Sequence, residues 1–314
     1  MSNLLESDIP EYSIVIPVYN SASSLEELSL RIDKVFESLN KTYEILMIDD
    51  GSLDDSWLIM KSIRETNKQV KIIQLMRNFG QHNAIICGFH HVSGTYIITM
   101  DDDLQNPPEE IPKLIREMEK GYDLVIGARE SKHDSFLRRI GSSLIGRVTT
   151  RIFACPKNFK FSSFRIITRN LMEGVKDQKT PYPYIAGMLL SLTKNVGNIA
   201  VKNARRRHGQ SNYTLVKLLN HGLNLIIYYT SFPLNVLTAI GFLVAVFSFC
   251  FAIFYAARKM ISGYTVPGWT SVVVLLSFFN GLLLLVLSLI GQYLGRIVNE
   301  VSNRQQFMVR EKLL

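Results

Sequence analysis

Two uncharged apolar stretches constrain the fold of this chain more than any other feature. Residues 232–257 read FPLNVLTAIGFLVAVFSFCFAIFYAA and residues 270–294 read TSVVVLLSFFNGLLLLVLSLIGQYL. Each exceeds the ~20 residues with which a helix crosses a bilayer core. A buried helix of a soluble domain rarely stays uncharged over such a length, and two in succession are rarer still. The connecting segment RKMISGYTVPGW is short and holds Gly and Pro, so it reads as a tight loop between two antiparallel spans. Arg258 and Lys259 lie in that loop, whereas Arg296, Arg304, Arg310 and Lys312 follow the second span and more basic residues precede the first. This bias favours both termini in the cytoplasm. The opening MSNLLESDIP is polar and acidic, without the basic start and apolar core of a leader.

Residues 1–213 have a different texture. The runs at 12–20, 43–50, 70–76, 94–103 and 122–129 are short and rich in Ile and Val. Between the first two, residues 24–39 place Leu25, Leu28, Ile32, Val35 and Leu39 on one helical face. Strands alternating with helices predict an α/β domain on a mostly parallel central sheet. Ligands of such sheets bind beyond the carboxyl ends of the strands. Asp49, Asp50 and the run Asp101, Asp102, Asp103 all stand at such ends. No G-x-G-x-x-G follows the first strand and no Walker A sequence occurs, which excludes the common dinucleotide and P-loop sites.

Charge and cysteine content narrow the classes further. The formal net charge is +8, which suits an anionic ligand or an anionic membrane face. The basic residues crowd the part next to the apolar stretches, so a nucleic-acid partner is not expected. Cys87, Cys155 and Cys250 are far apart and form no C-x-x-C, against a disulfide framework or a zinc cluster. Residues 134–153 predict a basic amphipathic helix, with Leu137, Ile140, Leu144, Val148 and Ile152 on one face and Arg139, Arg147 and Arg151 on another. Such a helix either lies on a bilayer or packs on the domain with its basic face in water. Residues 214–231 predict an interfacial helix leading into the first span, and 296–314 a cytoplasmic tail.

Three adjacent carboxylates repel one another, so a positive partner is expected among them. The simplest is Mg²⁺ or Mn²⁺, which take oxygen ligands and keep waters and ligand phosphates. If the strand continues, Asp101 and Asp103 point to one side and Asp102 away, toward a ribose or a backbone amide.

The motifs IVIPVYN, EILMIDDGSLDDS, RNFGQHNAIICGF, DDDLQNPPEEIPKL and GARE resemble, in order and spacing, the family 2 glycosyltransferases of GT-A fold. With the two spans, RRRHGQSNY before them and GQYLGRIVNEV after them, the chain is similar over nearly its whole length to polyprenyl-phosphate glycosyltransferases. Dolichyl-phosphate mannose synthases, bactoprenol glucosyltransferases and undecaprenyl-phosphate formamido-arabinose transferases are of this kind. The resemblance implies that Asp101, Asp103 and Gln105 hold the metal. It implies a donor site of Pro17, Tyr19, Asn20, Asp49, Asp50, Arg77, Asn78, Asp101 and Asp102. Arg129, Arg206 and Ser211 would meet the acceptor phosphate, with Asp103, Arg129 and Arg206 central to catalysis. Further implications are a nucleotide diphosphate sugar donor, a polyprenyl phosphate acceptor, a homo-oligomer (a tetramer by the family pattern) and a place in the inner, cytoplasmic membrane.

Three departures stand out: Ser21 where the family often has Glu, Ser163 where it often has Asp, and Asn212 where it often has Lys. They leave the sugar's identity open. A lipid phosphate is mostly a dianion at pH 7, since its second pKa is about 6, so it attacks without a general base and Ser163 is tolerable. Two rivals remain: a polysaccharide synthase, against which the chain lacks Q-x-x-R-W, and a degenerate membrane scaffold.

Overall fold

The computed structural model describes residues 9–129, 159–178, 183–202, 268–301 and 305–314, with a few isolated positions besides. Contacts divide the chain into one unit of Met1–Tyr213 with Arg304–Leu314 and a second of Thr214–Asn303.

The first unit begins with four strand–helix repeats and a fifth strand. Strand β1, Tyr12–Val18, is buried at all seven positions, a continuous rather than alternating pattern, as a strand covered on both faces requires. Helix α1, Leu25–Leu39, buries Leu25, Leu28, Ile32, Val35 and Phe36. It ends at Asn40 in the left-handed conformation (φ 50°), a residue type that tolerates that cap. There follow β2 (Tyr43–Asp49), α2 (Ser56–Thr66), β3 (Val70–Leu75), α3 (Gln81–Phe89), β4 (Tyr96–Thr99), α4 (Ile111–Met118) and β5 (Leu124–Arg129). Beyond them lie β6 (Arg165–Thr168), α5 (Arg169–Lys176), α6 (Ile185–Leu192), β7 (Val196–Val201) and β8 (Val309–Leu313), while α7 (Trp269–Val301) belongs to the second unit.

Eight strands form one sheet in the order β7-β5-β6-β4-β1-β2-β3-β8. The pairings β1–β2, β1–β4, β2–β3 and β5–β7 are parallel, while β3–β8, β4–β6 and β5–β6 are antiparallel. The expected α/β fold with a mostly parallel sheet is thus observed. Ile14, Ile16, Ile45, Met47, Ile72 and Phe36 share a core cluster, each 0% exposed, and burying one such side chain contributes about 1.5–3 kcal/mol. On the other face α3 presses close to β1. A Cβ on Gly88 would meet Val15 Cγ1 at 2.5 Å, so this approach depends on glycine.

The order also positions a crevice. From β1 the chain steps outward to β2 and β3, then returns to lay β4 on the opposite side of β1. The loops leaving β1 and β4 therefore diverge, which is where open α/β sheets bind ligands. Tyr19 follows β1 and Asp101 follows β4.

Two expectations change. Residues 296–314 are not a simple tail: α7 continues to Val301, and Val309–Leu313 pairs antiparallel with β3 as an edge strand. Among the described residues no helix is long and apolar enough to cross a membrane. Helix α7 has 33 residues, but many of its side chains, and nearly all of 232–257, lie outside the described residues. The two-span hairpin is carried by the sequence and not by the structure.

Candidate functional site at the sheet switch point

The loop after β1 is fastened to the loop after β4. The Tyr19 amide donates to Asp102 Oδ2 at 3.1 Å, and the Ser24 hydroxyl to the Asp102 carbonyl at 2.7 Å. The Ser21 side chain also donates to the Asp102 carboxylate, whose pKa desolvation pushes up to about 6. Of the two partners expected for Asp102, the observed one is the backbone amide. Asn20, with φ 52°, turns the chain so that its Oδ1 accepts from the Leu53 amide at 2.8 Å. Asp54 accepts from the Ser56 amide at α2's start and from the Ala22 amide, both at 3.1 Å. Asp55, the residue directly before α2, makes no side-chain cap bond.

Asp49 and Asp50 are buried and engaged within the protein. Asp49 accepts from the Ser52 amide at 2.9 Å and from Gln74 Nε2 at 3.1 Å. Asp50 accepts from the amides of Phe79 at 2.7 Å and Gly80 at 2.9 Å. Desolvation raises the Asp50 pKa and those two amides oppose it. The pair thus holds the β3–α3 loop, on which Arg77 and Asn78 are exposed and the Arg77 guanidinium lies 4.5 Å over the Phe79 ring. Gly51 (φ +71°) permits the approach: a Cβ there would sit 2.6 Å from the Arg77 carbonyl carbon.

Asp101 lies past β4 and is gripped by both oxygens. Gln81 Nε2 donates to Oδ1 at 2.6 Å, and the Ser163 hydroxyl donates to Oδ2. Ser163 is itself held from beneath. Its carbonyl accepts from Thr99 Oγ1 at 2.6 Å and from Arg165 Nε at 3.3 Å, and Arg165 Nε also reaches Thr99 Oγ1 at 3.1 Å. Arg165 is 2% exposed; burial lowers its pKa to about 10, and the Asp101 charge resists that drop. Its Nη1 has no hydrogen-bond partner among the described residues. Asp103 Oδ1 accepts from the Gln105 amide at 3.1 Å in a turn that sets Leu104 at φ 59°.

Do these residues suit a divalent cation? Among the described residues, no group of three or more His, Cys, Asp or Glu side chains forms a closed metal site. A closed site is not what Mg²⁺ or Mn²⁺ needs here, because one or two carboxylates plus phosphates and waters suffice. The donors present are carboxylate oxygens. The Asp101 pKa is raised by desolvation first and by the Asp103 charge as well. The carboxyls of Asp101 and Asp102 keep raised pKa values although Arg165 lies nearby, which marks uncompensated negative charge and fits a bound cation.

The remaining expected residues divide. Pro17 is buried within β1 and Tyr19 is exposed beside Asp102. Gln105 is half-buried in the turn after Asp103. Arg129 ends β5 in register with Val201, with its side chain outside the described residues. Arg206, Ser211, Asn212 and the helices expected at 134–153 and 214–231 lie outside the described residues. Sequence reading passed over Gln81, Thr99 and Arg165; the two signals were the GQ of RNFGQHN and the Arg of SSFR.

The family model for glycosyl transferase family 2 matches residues 13–176, more than half of the chain. Several solved structures share the fold at low identity. Glucosyl-3-phosphoglycerate synthase from Mycobacterium tuberculosis in complex with phosphoglyceric acid is 17% identical, with TM-score 0.50, over 69% of this chain and 78% of that one. The same enzyme with Mn²⁺, uridine-diphosphate-glucose and phosphoglyceric acid is 16% identical, with TM-score 0.50 and the same coverage. A mycobacterial protein is 16% identical, with TM-score 0.53, over 69% of this chain and 73% of that one.

Proposed function

The chain belongs to glycosyl transferase family 2, and from that premise we propose that it transfers a sugar from a nucleotide diphosphate sugar to a polyprenyl phosphate at a membrane surface, with inversion at the anomeric carbon. The observation that carries the donor half is the acidic cluster Asp101–Asp103 in the crevice between the β1 and β4 loops, tied to Tyr19. The M. tuberculosis synthase, which shares the fold, holds Mn²⁺ and uridine-diphosphate-glucose in its solved structure.

Asp101 and Asp103 would hold the cation, with Gln105 beside them. When bound, a divalent cation would supply positive charge against the departing nucleotide diphosphate. The Tyr19 loop and the exposed Arg77–Asn78 loop flank the donor. One acceptor phosphate oxygen forms the new bond to C1 as the bond from C1 to the nucleotide diphosphate breaks, and the leaving group keeps the electron pair. No proton has to move, because the acceptor is already a dianion at neutral pH. Arg129 and Arg206 are assigned to the acceptor phosphate, where a guanidinium fork suits its oxygens, with Ser211 beside them.

The lipid half rests on the apolar segments 232–257 and 270–294. In agreement, Val272, Leu275, Leu276, Phe278, Leu283, Leu287, Ile290 and Leu294 of α7 are exposed, as lipid-facing side chains of a span are. Both termini would be cytoplasmic, in the inner membrane.

The test is to incubate the purified full chain with a panel of nucleotide sugars and Mn²⁺ or Mg²⁺, offering polyprenyl phosphate in one arm and phosphoglyceric acid in the other, and to weigh the products. A sugar–phospholipid is expected. Product in the phosphoglyceric acid arm alone overturns the lipid assignment, and no transfer in either arm with any donor overturns the enzyme reading.

A further inference from the structure

The two oxygens of Asp101 are not equivalent. Oδ2 accepts from Ser163, whose carbonyl is fixed by Thr99 and the buried Arg165. That bond is anchored from inside the sheet. Oδ1 accepts from Gln81, an exposed residue at the first position of α3. A cation arriving from solvent meets the Oδ1 side, and a carboxylate oxygen cannot keep a 2.6 Å amide bond and a short metal bond along the same direction. A cation that takes the lone pair facing Gln81 therefore displaces the amide.

We propose that Gln81 is a positioning residue that competes with the divalent cation for Asp101 Oδ1, holding the carboxylate while no cation is bound and giving way when one binds. The inference rests on the cation-site reading above. Ser163 has the opposite part: it keeps Oδ2 in place in both states and so supports binding. Loading would also free the first side chain of α3, three residues beyond Asn78 and directly after Gly80, whose amide is held by Asp50.

The test measures Mn²⁺ alone, without nucleotide, binding to the full chain in detergent, with free Mn²⁺ followed by electron paramagnetic resonance. Gln81→Ala should tighten the Kd about three- to tenfold, the scale of one hydrogen bond, and Gln81→Asn, too short to reach, should do the same. Ser163→Ala should weaken it. Far-ultraviolet circular dichroism confirms folding, which an exposed helix position allows for Ala. Unchanged or weaker binding in Gln81→Ala makes Gln81 irrelevant or a supporting partner and overturns the proposal. If the wild-type chain binds no Mn²⁺, the cation site itself is wrong, whereas tight wild-type binding with no gain in Gln81→Ala removes only the competition.

Discussion

The amide of Tyr19 and the carboxylate of Asp102 meet at 3.1 Å although 83 residues separate them. This bond joins the two loops that diverge from the switch point, so an acidic residue flanked by two proposed cation ligands serves the backbone instead. Its charge is nevertheless costly. Desolvation raises the Asp102 pKa to about 6, so the folded chain favours the protonated form over the unfolded chain, where the value is near 3.8. The associated stability is present below the unfolded value and is lost as pH rises through about 6. Asn keeps an acceptor for the Tyr19 amide and removes the charge. In the metal-free chain, Asp102→Asn should therefore raise Tm at pH 7–8, and the difference from wild type should shrink toward pH 4. A constant difference across that range, in thermal melts with chelator present, contradicts this account.

Metal dependence gives the second prediction. Chelation with EDTA should abolish transfer, and restoring Mn²⁺ or Mg²⁺ should recover it. Asp103→Asn should lower the rate at least about 100-fold, the scale of losing one key electrostatic group, at every cation concentration. Initial rates over a cation titration decide the matter; near-normal activity at saturating metal refutes the role given to Asp103.

A third prediction uses Gly51. Its φ of +71° and the 2.6 Å approach to the Arg77 backbone leave no room for a side chain. Gly51→Ala should cost about 1–3 kcal/mol from the backbone conformation and should push the Arg77–Asn78 loop away. Urea unfolding and the donor KM should both report it, the midpoint falling and KM rising. A raised KM is the informative half, because strain elsewhere would lower stability alone.

The fourth concerns β8. Met76 N donates to the Met308 carbonyl at 2.8 Å, and Arg310 Nη2 to the Met76 carbonyl at 3.0 Å. Ending the chain at residue 307 removes the strand and the Arg310 bond, leaving β3 as an exposed edge. At about 1 kcal/mol for each lost bond, stability should fall by about 2–5 kcal/mol. Amide exchange should accelerate along Val70–Leu75, and the open edge should promote association. Unaltered exchange in β3 would show that β8 adds nothing to it.

Much of the sheet was legible because its inner strands are continuous Ile and Val runs between turn residues. Tyr12–Val18 and Tyr43–Asp49 were found to within two residues. The strands β6, with four residues, and β8, with Val309, Arg310, Glu311, Lys312 and Leu313, carry too little apolar pattern to declare themselves. Both join through antiparallel pairing with distant partners, which no local period reports. At the site, the aspartates were conspicuous because unscreened like charges need a reason. Their bonds within the protein were not: Asp49 and Asp50 read as donor ligands, and the structure adds that their oxygens accept from Ser52, Gln74, Phe79 and Gly80. Gln81 and Arg165 became visible only when three-dimensional neighbours were known.

Strand β8 has a consequence of parity. The polypeptide departs from the first unit after Tyr213 and is back in it from Arg304, with Val309–Leu313 paired antiparallel to β3. A path that starts and finishes in one folded body traverses any sheet-like barrier an even number of times. A lone crossing is thereby forbidden for residues 214–303 by connectivity alone, whatever their charges, and the proposed pair of spans is the smallest number that crosses at all.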